Sequence, residues 1–291
     1  MMKLFVTATA ALLVSSAFAG SAAAQSLTEA WRTGGFMTPE SVSYDPGSQS
    51  LYVGNINSPD MSANGQGYIS QVGLDGTVIK EKFTEGLNAP KGTFVSGGTL
   101  FVAGVEEVVE IHLATGAIIT RHAIPGATFV NDVAVADDGT IYATETMQAS
   151  VYAIRDGKAE VFVSDPALAG ANGIVIDGNQ LLVATLGDLS GGFANLKPST
   201  VKAIDLTSKE ITDYGSPEPV GSLDGIELTD GGVLVTDNGA GRVVKIAEDG
   251  TITEIGNSGA GSADFEYIPE QNLIVVPILN TSELVAFTYT P

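Results

Sequence analysis

The stretch Ser222-Leu223-Asp224-Gly225-Ile226-Glu227-Leu228-Thr229-Asp230-Gly231-Gly232-Val233-Leu234-Val235-Thr236-Asp237-Asn238 decides the fold. It places an acidic residue at a strand entrance, then a short alternating strand, a Gly-Gly turn and a second apolar strand that ends in polar residues. Alternation broken by a glycine turn is a strong hairpin signal. The same pattern recurs from Asn172 (NGIVIDGNQLLV) and from Asn131 (NDVAVADDGTIY), with looser copies from Glu40, Lys91 and Asp264. Positions 40, 91, 131, 172, 224 and 264 are separated by 51, 40, 41, 52 and 40 residues. A period of this length, with several short strands per unit, is the mark of a β-propeller. The expectation is an all-β, six-bladed ring with four antiparallel strands per blade.

The ends of the chain fit a closed ring. Leu27–Thr33 reads as a strand without a hairpin partner, and the last repeat offers three strands before Pro291. The first strand is therefore expected to complete the last blade as its outer strand, which removes an exposed edge. Trp31 on it is expected to pack rather than to bind. Before it, Lys3, the apolar run Leu4–Phe18 and Ala22-Ala23-Ala24 read as a signal peptide over residues 1–24, leaving one domain over 25–291 and predicting a periplasmic or secreted protein. No other stretch could cross a membrane.

Composition narrows the partners. Thirty-four acidic residues against 13 basic give a net charge of −21, a field that repels nucleic acid and anionic lipid and attracts cations. There is no cysteine, hence neither a disulfide nor a thiol nucleophile. His112 and His122 fall on outer strands of the second repeat, and no serine is placed to meet a histidine on the axis. The ring is expected to act as a monomer on a small molecule.

First strands line a propeller's channel, so Glu40, Lys91, Asn131, Asn172, Asp224 and Asp264 should converge on its axis. Glu40, Asn131, Asn172 and Asp224 offer two carboxylates and two amide carbonyls, a hard-oxygen set suited to Ca²⁺. Zn²⁺ would call for His or Cys. Asn172-Gly173 and Asp224-Gly225 can equally be read as turn pairs, whereas Glu40-Ser41 and Asn131-Asp132 cannot. Lys91 is the one cation among the six; it either pairs with Asp132 or Asp264 or meets an anionic ligand. Two repeats are longer than the rest, and in each the excess, Asn57–Gly67 or Gly187–Pro198, sits between second and third strands. In blades 1 and 4 these loops would face each other across one end of the channel, as binding loops or as tolerated insertions.

With these residues in place, the chain resembles the SMP-30/gluconolactonase/LRE family of six-bladed propellers over essentially all of residues 25–291. The resemblance implies a catalytic divalent cation on Glu40 (in Pro39-Glu40), Asn131 (in Asn131-Asp132), Asn172 (in Asn172-Gly173) and Asp224 (in Asp224-Gly225). It implies lactone hydrolysis, with Asp224 as base or nucleophile. Lys91, Phe129, Asp132 and Asp264 are then the candidate substrate contacts. Sugar-lactonase members commonly place an Arg where this chain has Phe129, which favours a more apolar ring. The alternative is a propeller that binds a ligand or protein without catalysis.

Overall fold

The computed structural model describes residues 1–2 and 25–291; the segment read as a signal peptide lies outside the described residues. Six four-stranded antiparallel sheets follow one another along the chain. Blades 1 to 5 occupy residues 39–87, 93–123, 130–164, 171–213 and 223–257. Blade 6 takes three strands from residues 266–290, and its outermost strand is Ser26–Gly34, paired antiparallel with Glu283–Thr290. The ring closes by the first strand, as the sequence predicts. Trp31 packs in the seam between blades 6 and 1, and its indole N–H donates to Leu74 O at 2.8 Å. Among the described residues no helix is long and apolar enough to cross a membrane.

The core consists of six separate seams, one between each pair of adjacent blades. Second strands serve two seams at once. In Ser50–Asn55, Leu51 and Val53 face blade 6 while Tyr52 faces blade 2. In Gln180–Thr185, Leu181 and Val183 face blade 3, and Leu182 and Ala184 face blade 5. A strand buried on both faces reads as a continuous apolar run rather than an alternation. Outer strands such as Val78–Leu87 are mostly exposed, so their sequence carries a weaker signal.

The two Asp-Gly pairs of the outer hairpins fold differently. Asp156-Gly157 has positive φ at both residues (49° and 73°), type I′ geometry. At Asp249-Gly250 only Gly250 has positive φ (87°). There the Asp249 carboxylate instead accepts the Thr251 N–H at 2.9 Å, an Asx-type turn.

The glycines of Asn172-Gly173 and Asp224-Gly225 are not turn residues; both lie inside inner strands, Ala171–Asp177 and Leu223–Thr229. Their purpose is steric. A Cβ on Gly173 would collide with the Asp224 carbonyl oxygen of the next blade, and one on Gly225 would lie 2.9 Å from Asp264 Cα. Where the ring is narrowest, the inner strands of blades 1 to 5 carry either a glycine or a side chain that bonds the neighbouring blade. Ser41 Oγ takes the second course, donating to Lys91 O at 2.5 Å, and Asp132 accepts the Ile174 N–H at 2.7 Å. Gly173→Ala should therefore cost about 1–3 kcal/mol, the range for overpacking a rigid site. An unchanged denaturation midpoint for that variant would show that the inner strands can part freely.

Candidate metal and ligand site at the channel mouth

Four inner strands break register at the residue singled out by the repeat. The shifts fall between Pro39 and Ser41, Val130 and Val133, Ala171 and Ile174, and Leu223 and Ile226. These bulges carry Glu40, Asn131, Asn172 and Asp224. A bulge bends the strand and re-aims one side chain, and here it turns all four toward the axis, where they line one cavity of about 210 Å³. The inner strands of blades 2 and 6, Thr93–Ser96 and Glu266–Ile268, show no shift, and Lys91 and Asp264 precede them.

The bulges leave backbone groups that threonines take up. Thr144 Oγ1 accepts the Asp132 N–H at 2.9 Å and donates to Asn172 O of the next blade at 2.6 Å. Thr236 repeats the arrangement, accepting from Gly225 N at 2.9 Å and donating to Ala263 O at 2.9 Å. The same hydroxyl thus stabilises a bulge and joins two blades, so the aim of the site residues is tied to closure of the ring.

Among the described residues, six buried side-chain polar atoms have no hydrogen-bond partner: Glu40 Oε2, Asn131 Oδ1, Asn172 Oδ1, Asp224 Oδ1, Ser150 Oγ and Tyr289 OH. Four of the six are oxygens of this one cavity. Leaving a buried acceptor unpaired costs about 1–3 kcal/mol, more when it is charged, so four at one point mark a place built for a shared partner. The rest of each group is restrained. Asn131 Nδ2 donates to Thr146 Oγ1 at 3.0 Å, which fixes its carbonyl toward the cavity. Asp224 Oδ2 accepts from Asn238 Nδ2 at 2.7 Å, leaving Oδ1 free.

Electrostatics point the same way. Burial, reinforced by Asp224, holds Glu40 well above the usual carboxylate range against the pull of Lys91. Burial pushes Asp224 up to about 7 while the Asn238 hydrogen bond opposes it. A cation held between two such carboxylates would favour their charged forms. No cluster of three or more His, Cys, Asp or Glu that could hold a metal forms among the described residues. Two carboxylates and two amide carbonyls are all hard oxygens, and such a set could hold Ca²⁺ with water completing the shell.

Lys91 and Phe129 also line the cavity. Lys91 is 1% exposed, yet it forms no ion pair with Asp132 or Asp264. Its ammonium lies 4.3 Å from the centre of the Phe129 ring and 3.5 Å from both Ala89 O and Val130 O. Burial lowers it to about 8, with Glu40 opposing. Asp132 and Asp264 instead line a separate cavity of about 40 Å³. Both Asp132 oxygens are engaged, by Val133 N and Ile174 N at 2.7 Å each, so it joins blades 3 and 4.

The sequence reading missed Asn238 and Thr146, whose roles depend on loop geometry. It also missed most of the apolar wall: Met61 comes from the first long loop and Phe193 and Leu196 from the second. Phe193 packs against Phe129 with ring centres 5.8 Å apart. The two loops do reach over one mouth from opposite blades.

A scan of protein-family models finds no match, and a search of curated proteins finds none either. Solved structures match well in shape. A gluconolactonase from Xanthomonas campestris is 15% identical with a TM-score of 0.69, over 93% of this chain and 96% of that one. A virginiamycin B lyase from Staphylococcus aureus, in a catalytically inactive histidine-to-alanine form with quinupristin, is 15% identical with a TM-score of 0.58, over 89% and 99%. The WD40 propeller domain of Doa1 is 14% identical with a TM-score of 0.59, over 85% and 77%. Likeness at this identity, to proteins of three different kinds, establishes the propeller and leaves the chemistry to the site.

Further along the channel, Glu266 Oε2 accepts the Tyr44 N–H at 2.8 Å, and burial pushes Glu266 up to about 8 against that bond. In the unfolded chain it titrates near its ordinary 4.5. Between these values the folded state binds the extra proton, so the Glu266 contribution to stability falls as pH rises through that window. Glu266→Gln should gain stability over wild type progressively from about pH 5 to pH 8. Parallel denaturation curves across that range would contradict the shift.

Proposed function

We propose that the channel mouth binds Ca²⁺ and that the protein hydrolyses a cyclic ester there. The observation that carries this is the convergence of Glu40 Oε2, Asn131 Oδ1, Asn172 Oδ1 and Asp224 Oδ1, buried and without partners, in one cavity. When bound, the cation supplies a Lewis acid for an ester carbonyl and a template for its orientation.

The side chains then divide the remaining work. Asp224 is tethered through Oδ2 by Asn238, which fixes the direction of the whole carboxylate toward the cavity. It serves either as base, taking a proton from the water that attacks the carbonyl, or as nucleophile, forming an acyl ester that water then cleaves. In both cases the ring oxygen leaves with a proton and the product is a hydroxy acid. Asn131 gives one of its two N–H donors to Thr146, which aims its oxygen into the cavity. Donation to a developing oxyanion falls to Asn172 and to Lys91, whose ammonium lies at the cavity wall.

The lyase resemblance is weaker on chemical grounds. The Staphylococcus aureus lyase is inactivated by loss of a histidine, whereas His112 and His122 here lie on or beside the outer edge of blade 2, where His122 pairs with Glu110 at 2.6 Å. Export, read from residues 1–24, would place the site where calcium is plentiful, which suits weak extracellular calcium sites.

Calcium should raise the melting temperature of chelator-stripped protein in a concentration-dependent way, and Glu40→Gln should blunt that response while the ring stays folded. Asp224→Asn keeps shape and one ligand oxygen but removes the charge. It should lose lactone hydrolysis by at least about 10²-fold. A wild type that hydrolyses no lactone, with an Asp224→Asn variant that binds its ligand equally well, would favour the non-catalytic binding propeller.

A further inference from the structure

The floor and the wall of the mouth cavity have opposite character. Its polar groups are the four floor residues, Lys91 and Asn238; the rest of the lining is apolar, chiefly Ile56, Met61, Phe129, Leu186, Phe193 and Leu196. No side-chain hydroxyl lines it. The two polar groups outside the floor are partly engaged. Asn238 Nδ2 donates to Asp224 Oδ2 and to Ser262 O at 3.1 Å, and Lys91 lies against Phe129 and two carbonyls. A ring bearing several hydroxyls would press most of them against the apolar wall, and each one left there without a partner would cost roughly tenfold in affinity.

The rim adds a second observation. Phe193 remains 53% exposed although it packs on Phe129, and it stands in the short 3-10 turn Phe193–Asn195 of the blade 4 loop. Met61 stands on the opposite loop, from blade 1. Two large apolar side chains, presented from opposite sides above a polar floor, form a slot that an apolar chain would cover. At about 210 Å³ the cavity is at the small end of ligand sites, so only part of a chain fits inside and the remainder runs out over Phe193.

We propose that the substrate is an ester ring carrying an unbranched alkyl chain, with the ester on the oxygen floor and the chain between Phe129, Phe193 and Met61. This rests on the hydrolase reading for the role of the floor. The wall, by contrast, makes its own prediction through binding alone.

The test uses full-length mature protein loaded with calcium. Binding of γ-lactams substituted at C5 with methyl through hexyl, which are not turned over, is measured by calorimetry beside D-gluconolactam. Hydrolysis of the matching γ-lactones is followed by pH-stat. Affinity for the lactams should rise about fourfold per methylene over the first few carbons and then level off, with gluconolactam weaker than the butyl compound. Phe193→Asp should flatten the series and Phe193→Leu should largely keep it, with the calcium-induced thermal shift showing that each variant is folded and its floor intact. A flat series in wild type, or gluconolactam binding tighter than butyl lactam, overturns the assignment. A rising lactam series without hydrolysis of any lactone leaves the apolar slot standing and removes the hydrolase reading. Hydrolysis with no dependence on chain length does the reverse.

Discussion

Four oxygens forced together in a desolvated channel are the constraint on which the rest of this structure turns. Glu40 and Asp224 raise each other's cost of ionisation, and Asn131 and Asn172 add carbonyl dipoles of the same sign. Lys91, the cation that lines the same cavity, offsets them only in part, since it is itself pushed toward its neutral form by burial. Such an arrangement persists only because the ring over-determines it. Two of the four bulges that aim the oxygens are fixed by hydroxyls that also join the blades, and six apolar seams hold the blades in register. Strain at the axis is offset by burial around it, the usual relation between a functional site and its scaffold.

A net charge of −21 draws cations toward the molecule, and the mouth gathers four buried oxygens without hydrogen-bond partners. Around that polar floor the long loops supply an apolar wall. On the proposed reading the combination separates two tasks: the floor would act on a carbonyl, and the wall would select what the carbonyl is attached to. Each can change without disturbing the other, because the floor belongs to inner strands and the wall largely to loops.

The fold was legible in the sequence because every repeat carries the same instruction twice. Apolar runs such as Leu181–Ala184 reveal strands buried on both faces, and the residue preceding each run marks the axis. The closing strand was legible for a topological reason, since an unpaired first strand and a three-stranded last repeat need each other. The bulges were not legible. Asn172-Gly173 and Asp224-Gly225 look like turn pairs, yet their glycines exist because the next blade's backbone passes too close for a Cβ. Asp132, one residue past a key position and read from the sequence as a substrate contact, has both oxygens engaged by backbone N–H groups. Asn238, outside the repeat's key positions, holds the free carboxylate of Asp224 in place. One-dimensional spacing shows which residues reach the axis and not which of them still have an open valence when they arrive.

The most direct test of this account is a high-resolution crystal structure of the protein grown in millimolar calcium, with the calcium anomalous signal measured at the channel mouth. The account predicts one peak bonded to Glu40, Asn131, Asn172 and Asp224 through oxygens at about 2.4 Å, with waters completing six to eight ligands. A mouth that holds only water, with the four oxygens turned away from one another, would contradict it.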